Sequence, residues 1–260
     1  MQDRFYFGTN TKMFKTAAET VDYLRRLEEL THGIPPERAQ RFVIPSYTSL
    51  GPARAELDRA GSGILLGAQN MGWEERGQYT GEISPLMLRE AGARLVMVGH
   101  SERRHTFRET DAEEEKKVRC ALDHGFRVLL CVGEQLEDRR YGTGDEVLRV
   151  QLKIGLHQVR PEEADRVWVA YEPVWAIGVN GIPADEGYAG EKHRMLRGTM
   201  VELFGEAGSR VPLLYGGSVN PENAVALSRC EEIDGLFIGR SAWDAERFAD
   251  IMRAVLASAA

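Results

Sequence analysis

Cysteine is scarce in this chain of 260 residues, and its three copies, Cys120, Cys131 and Cys230, form no CxxC pair. An odd number at such spacing supports neither a disulfide framework nor a zinc site, so buried free thiols are expected. Long apolar runs are also missing. Nowhere do about eighteen apolar residues follow one another, which excludes a membrane-spanning helix. The opening stretch, MQDRFYFGTNTKMFKTAAET, has no charged start followed by an apolar core and a small-residue cleavage site, so a cytoplasmic protein is expected. Positive charge is in deficit: Lys and Arg total 33 against 40 for Asp and Glu, a net charge of -7. A broad footprint on a nucleic-acid backbone is thereby excluded, and any phosphate must be held by a local device. Finally, the first strand is not followed by GxGxxG, and no ligand cluster with metal spacing occurs. No cofactor and no metal are expected.

What remains is the composition of a globular protein, 43% hydrophobic and 28% charged. Short apolar runs bounded by turn residues recur along the whole chain: Phe5 to Gly8, Phe42 to Pro45, Ile64 to Ala68, Leu95 to Val98, Val128 to Val132, Val167 to Tyr171, Val211 to Tyr215 and Gly235 to Ile238. Between them lie segments with apolar residues every three or four positions, such as Thr20 to Leu30, Glu114 to His124, Val147 to Gln158 and Ala245 to Leu256. Nearly continuous apolar strands suit a parallel sheet covered on both faces. The pattern predicts an α/β fold of eight alternations, a closed (β/α)8 barrel in a single domain over residues 1–260. Periodicity alone leaves an open doubly wound sheet as the alternative.

In such a barrel the active site lies at the carboxyl ends of the strands. Strand one runs into Asn10-Thr11-Lys12, strand four into Gly99-His100-Ser101-Glu102-Arg103-Arg104, and strand six into Glu172-Pro173-Val174-Trp175. Strands seven and eight run into Gly216-Gly217-Ser218 and Gly239-Arg240-Ser241. Glycines there let backbone N–H groups approach an anion, so a phosphate site is implied at the last two strand ends.

Taken together, Asn10 with Lys12, AQNMGWEERGQYTGEISP from Ala68, GHSERRHTFRET from Gly99, CVGEQ from Cys131, AYEPVWAIG from Ala170, YGGS from Tyr215 and DGLFIGRS from Asp234 resemble triosephosphate isomerase. The likeness runs from Phe7 to about Trp243. It implies the TIM barrel, and a cofactor-independent isomerase that moves a proton between adjacent carbons of a small phosphorylated sugar through an enediolate. Glu172 matches the family's base. His100 matches the neutral histidine that polarises the carbonyl. Lys12 and Asn10 match the groups that meet the developing oxyanion. Glu102 corresponds to the carboxylate beside that histidine, with a structural ion pair to a neighbouring Arg as the other reading. Gly178, Ser218 and Gly239 match the phosphate contacts, and Val174 to Val179 resembles the start of the family's mobile lid. Gln69 to Thr80 resembles the loop that reaches a neighbouring subunit, which implies a homodimer; Met71, Trp73 and Tyr79 are apolar for a solvated loop.

The chain departs from the family pattern at three places. Phe14 stands where the family has Asn, Val179 and its neighbours replace the Gly-Thr-Gly-Lys of the lid, and Arg240 replaces a glycine. Arg240 is a candidate substrate contact, and these positions bear on which sugar fits. The expected reaction is interconversion of dihydroxyacetone phosphate and glyceraldehyde 3-phosphate, as in glycolysis and gluconeogenesis. The alternatives are the same chemistry on a four-carbon substrate, L-erythrulose 1-phosphate and D-erythrulose 4-phosphate, or a barrel that binds sugar phosphate without turning it over.

Overall fold

Alternate residues of each strand point to opposite sides, and in this chain both sides are apolar, so the sheet has two faces to bury. In the computed structural model, which describes residues 4–177 and 184–258, it does so by closing. Eight parallel strands pair in chain order and the eighth returns to the first. Leu95 and Met97, Leu129 and Cys131, and Trp168 and Ala170 fill the inside of the barrel with Phe42, Ile44, Leu214 and Phe237. Their neighbours Val96, Val98, Val128, Leu130, Val167 and Val169 face outward, into a second core beneath the helices. Burying one such side chain contributes about 1.5–3 kcal/mol.

In chain order the elements are β1 (Phe5–Asn10), α1 (Ala17–Thr31), β2 (Ala39–Ile44), α2 (Leu50–Arg59), β3 (Leu65–Ala68), α3 (Pro85–Glu90), β4 (Leu95–Val98), α4 (Ser101–His105), α5 (Asp111–Asp123), β5 (Arg127–Val132), α6 (Leu136–Tyr141), α7 (Gly144–Gly155), β6 (Val167–Tyr171), α8 (Glu186–Phe204), β7 (Leu213–Tyr215), α9 (Ala224–Ser228), β8 (Gly235–Ile238) and α10 (Ala245–Ser258). Several boundaries differ from the sequence pattern for local reasons. β1 continues through Thr9 and Asn10, which pair with Val43 and Ile44, because a ladder needs backbone groups and not apolar side chains. β2 begins at Ala39 and carries the buried Arg41, whose charge is met by Glu28 at 3.2 Å and Thr31 at 2.5 Å. β7 starts only at Leu213, since Pro212 has no N–H to give. Helices α1 and α5 begin earlier than their apolar periodicity, each at a capping box: Thr16 with Glu19, and Thr110 with Glu113. Such a cap is worth about 1 kcal/mol. No helix among the described residues is long and apolar enough to cross a membrane.

Candidate active site

Asn10 has the parity of Tyr6, which packs on the inner cluster, so the end of β1 delivers it to the barrel's inner side. Its carboxamide is oriented by two donors. The Lys12 backbone N–H reaches Oδ1 at 2.8 Å and Gln69 Nε2 reaches it at 3.0 Å, so Oδ1 is the acceptor and Nδ2, which also reaches Met97 Sδ at 4.0 Å, is the donor. Gln69 also donates to the Lys12 carbonyl at 2.8 Å. Lys12 itself has φ 50°, a left-handed backbone that a residue with a side chain rarely adopts. Its ammonium meets Glu102 Oε1 at 2.8 Å. Glu102 therefore pairs with Lys12 and not with an adjacent arginine. Arg103 is taken by Glu109, and Arg104 by Asp111 and Glu114.

His100 caps α4 with its ring. The Glu102 backbone N–H donates to Nδ1 at 3.2 Å, so that nitrogen keeps its lone pair and the N–H of a neutral ring lies on Nε2. Nε2 faces the Glu172 carboxylate, with 3.7 Å to Oε1. Behind the ring, Arg104 donates to the carbonyls of Gly99 at 2.7 Å and Cys131 at 3.1 Å, holding the ends of β4 and β5 together.

Glu172 follows β6 directly, and its N–H still pairs with the Val132 carbonyl at 2.8 Å. It is 5% exposed, and Oε2 has no hydrogen-bond partner among the described residues. A buried carboxylate oxygen without a donor is unusual for a structural acid and suits a group kept for a reactant. Two glycines make the fit possible. A Cβ at Gly133 would come 1.9 Å from the Glu172 carbonyl, and one at Gly216 would come 2.7 Å from its Cγ. Cys131 lies beside the carboxylate. Burial first, and then Glu172, push its thiol well above the ordinary range, so it remains a neutral S–H. The Glu134 carboxylate, fully buried, accepts from Tyr171 at 3.0 Å, Trp175 at 2.9 Å and Tyr188 at 2.9 Å, fixing the short turn Val174–Ala176 next to Glu172.

These groups open on a cleft of about 270 Å³ that is also lined by Gly216, Gly217, Ser218, Gly239, Arg240 and Trp243. Ser218 is half-buried, and its loop is fixed by Asn223, whose Nδ2 donates to the Ser218 carbonyl at 2.8 Å. Gly239 leaves open space, with nothing within 4 Å of a would-be Cβ. Arg240 is exposed. The structure thus brings together Asn10, Lys12, His100, Glu172, Ser218, Gly239 and Arg240 around one cleft, with Glu102 behind Lys12. Gly178 and Val179 lie outside the described residues. No group of three or more His, Cys, Asp or Glu side chains among those described is placed to hold a metal ion.

Sequence reasoning missed several parts. Cys131 stood in the sequence only as a free thiol, although its position at a strand end was a signal; Gln69, Glu134 and Trp243 act across the barrel, at separations no spacing rule reaches. The expectation of three buried thiols needs correction: Cys131 is buried, but Cys120 and Cys230 are half-buried. In the Gln69 to Thr80 loop, Met71 is fully buried in the chain's own core, Trp73 is half-buried with Lys116 Nζ 5.2 Å from its ring centre, and Tyr79 is 52% exposed.

Comparison with known proteins agrees with this geometry. The family model described as triosephosphate isomerase matches residues 5–255. An L-erythrulose-1-phosphate isomerase from Rhizobium etli is 47% identical over 97% of this chain and 93% of its own length. One of the same name from Brucella abortus is 43% identical over 96% of this chain and 95% of its own. A crystal structure of triosephosphate isomerase from Bartonella henselae superposes with a TM-score of 0.85 at 36% identity, covering 96% of this chain and 98% of that one. The chain is an isomerase that belongs to the triosephosphate isomerase family.

Proposed function

We propose that this enzyme interconverts L-erythrulose 1-phosphate and D-erythrulose 4-phosphate. The observation that carries the reading is the whole-length identity of 47% and 43% to relatives with that name, above the 36% to a triosephosphate isomerase. The names of those relatives favour the four-carbon substrate over the three-carbon one and give no support to a glycolytic or gluconeogenic role.

The chemistry follows from the cleft. In L-erythrulose 1-phosphate the carbonyl is at C2 and the neighbouring C3 carries both a hydrogen and a hydroxyl. Glu172 takes the C3 proton, the C2 oxygen gains charge, and Asn10 Nδ2, Lys12 Nζ and His100 Nε2–H stabilise it as donors. A proton passes from the C3 oxygen to the C2 oxygen through His100, and Glu172 returns its proton to C2. The carbonyl now stands at C3, and the phosphate-bearing carbon has not reacted. Glu102 holds Lys12, while the backbone around Ser218 and Gly239, the Arg240 side chain and Gly178 take the phosphate. No electron acceptor is required, because the carbonyl itself stabilises the carbanion. The test is incorporation of deuterium at C3 of L-erythrulose 1-phosphate in heavy water, followed by NMR. Uptake by the wild type and its loss in Glu172→Gln support the scheme; equal uptake by the variant removes Glu172 as the base.

Assembly as a homodimer through the loop from Gln69 to Thr80 belongs to the same reading. Met13 is 95% exposed, Phe14 67% and Tyr79 52%, and the loop frames a cleft of about 650 Å³. These apolar groups and the open cleft fit burial against a second copy. Sedimentation equilibrium at micromolar protein should give twice the 29.1 kDa chain mass. A monomer at that concentration contradicts the assembly.

A further inference from the structure

The loop leaving β8 is stitched to the loop leaving β1. After Gly239 the chain makes one tight turn, in which the Ala242 N–H donates to the Gly239 carbonyl at 2.9 Å and the Trp243 N–H to the Arg240 carbonyl at 3.2 Å. Trp243 then returns to the barrel. Its indole N–H donates to the Asn10 carbonyl at 2.9 Å, at the residue where β1 ends, and its ring forms part of the cleft wall. The Phe14 ring lies 4.5 Å from it, at 35°. A second stitch joins the same turn to α1, since the Tyr23 hydroxyl donates to the Ala242 carbonyl at 2.6 Å. The turn after β8 and the end of β1 are therefore joined by one side chain.

We propose that Trp243 is a positioning residue that carries the seating of the substrate's phosphate at the Gly239–Ser241 turn to Asn10 and Lys12. A bound phosphate fixes the turn, the turn fixes the indole, and the indole N–H fixes the Asn10 carbonyl. On either side of that carbonyl stand the Asn10 carboxamide and the Lys12 ammonium, whose aim at the reacting oxygen must hold to within a fraction of an ångström. An indole has only two side-chain torsions, and the Phe14 ring packs against it. The inference rests on the isomerase reading, and its signature is a loss of rate that depends on the phosphate.

The variant Trp243→Phe keeps a ring in the wall and removes the N–H. It is compared with wild type on L-erythrulose 1-phosphate, or on dihydroxyacetone phosphate where the wild type prefers it. The second arm is the unphosphorylated ketose, L-erythrulose or dihydroxyacetone, followed by deuterium uptake from heavy water. The expected result is a loss in kcat/KM on the phosphorylated ketose at least about tenfold larger than on the unphosphorylated one, carried by kcat more than KM. Tyr23→Phe, which keeps the ring in the core and removes only the hydroxyl that donates to the Ala242 carbonyl of the same turn, gives a smaller loss of the same kind, and it carries the comparison should Trp243→Phe not fold. Equal losses on the two substrates, or a change in thermal stability alone, overturn the inference and leave the isomerase reading standing. A wild type that turns over neither phosphorylated ketose overturns that reading and the inference with it.

Discussion

Glu172 is held by its backbone and its stem, while its carboxylate faces the cleft. Its N–H is paired with β5, its carbonyl is pressed against Gly133 and its Cγ against Gly216, while Oε2 is unpartnered among the described residues. Shortening the side chain by one methylene should therefore leave the fold and displace the carboxylate that we propose as the base. Glu172→Asp is expected to lower kcat by about a hundredfold or more with little change in melting temperature, because reaction rate is steeply sensitive to an ångström of misplacement. Steady-state kinetics beside thermal denaturation checks this, and near-full turnover contradicts it. The identity of this residue was legible in the sequence through AYEPVWAIG. Its neighbour Cys131 was not legible as part of the site, since which face a strand residue presents depends on the parity of a closed barrel.

At the scale of elements, the strand ends carry the chemistry and the helices hold them in place. Helix α8 does this with His193, which is fully buried, with its ring centre 5.6 Å from that of Tyr171 at the end of β6 and 6.0 Å from that of Tyr215 at the end of β7. Burial pushes this histidine down to about 4 from its ordinary value of 6.5, with the hydrogen bond to the Ala189 carbonyl opposing the shift. The sign follows from proton binding. Between pH 6.5 and 4 the unfolded chain takes up a proton at this site that the folded one refuses, so stability is full above about 6.5 and falls as pH drops towards 4, by roughly 3 kcal/mol at most. Denaturant unfolding across that window should show a steeper fall in wild type than in His193→Gln, and equal slopes contradict the assignment. The strands were readable because both of their faces are apolar. Helix starts were readable less well, since Thr16 and Thr110 begin α1 and α5 before the apolar period does, and β2 hid its first half behind Gln40 and Arg41.

For the whole molecule, order along the chain becomes order around the barrel, so candidate residues from 10 to 240 could be located at strand ends, while their roles were legible only through the family resemblance. What spacing did not reach were the links between loops, such as Gln69 to Lys12, which reaches over the end of β2, and Trp243 to Asn10, which crosses the seam between β8 and β1 and exists only once the sheet closes. Closure also separates two questions about the substrate. The extra hydroxymethyl group of a four-carbon ketose hangs on the reacting carbon, away from the phosphate. Arg240 lines the same cleft beside Gly239 and Ser241. In the proposed reaction its charge is expected to bear on how tightly the phosphate is held, and the choice between three and four carbons is expected to fall to the groups that meet the reacting carbons, Glu172, His100 and Asn10. The most direct measurement of the central claim is kcat/KM of the purified enzyme for L-erythrulose 1-phosphate against dihydroxyacetone phosphate under the same conditions. The account predicts a preference for the four-carbon ketose of about a hundredfold or more, a margin that differential binding of the transition state sets. A preference of that size for dihydroxyacetone phosphate would contradict it.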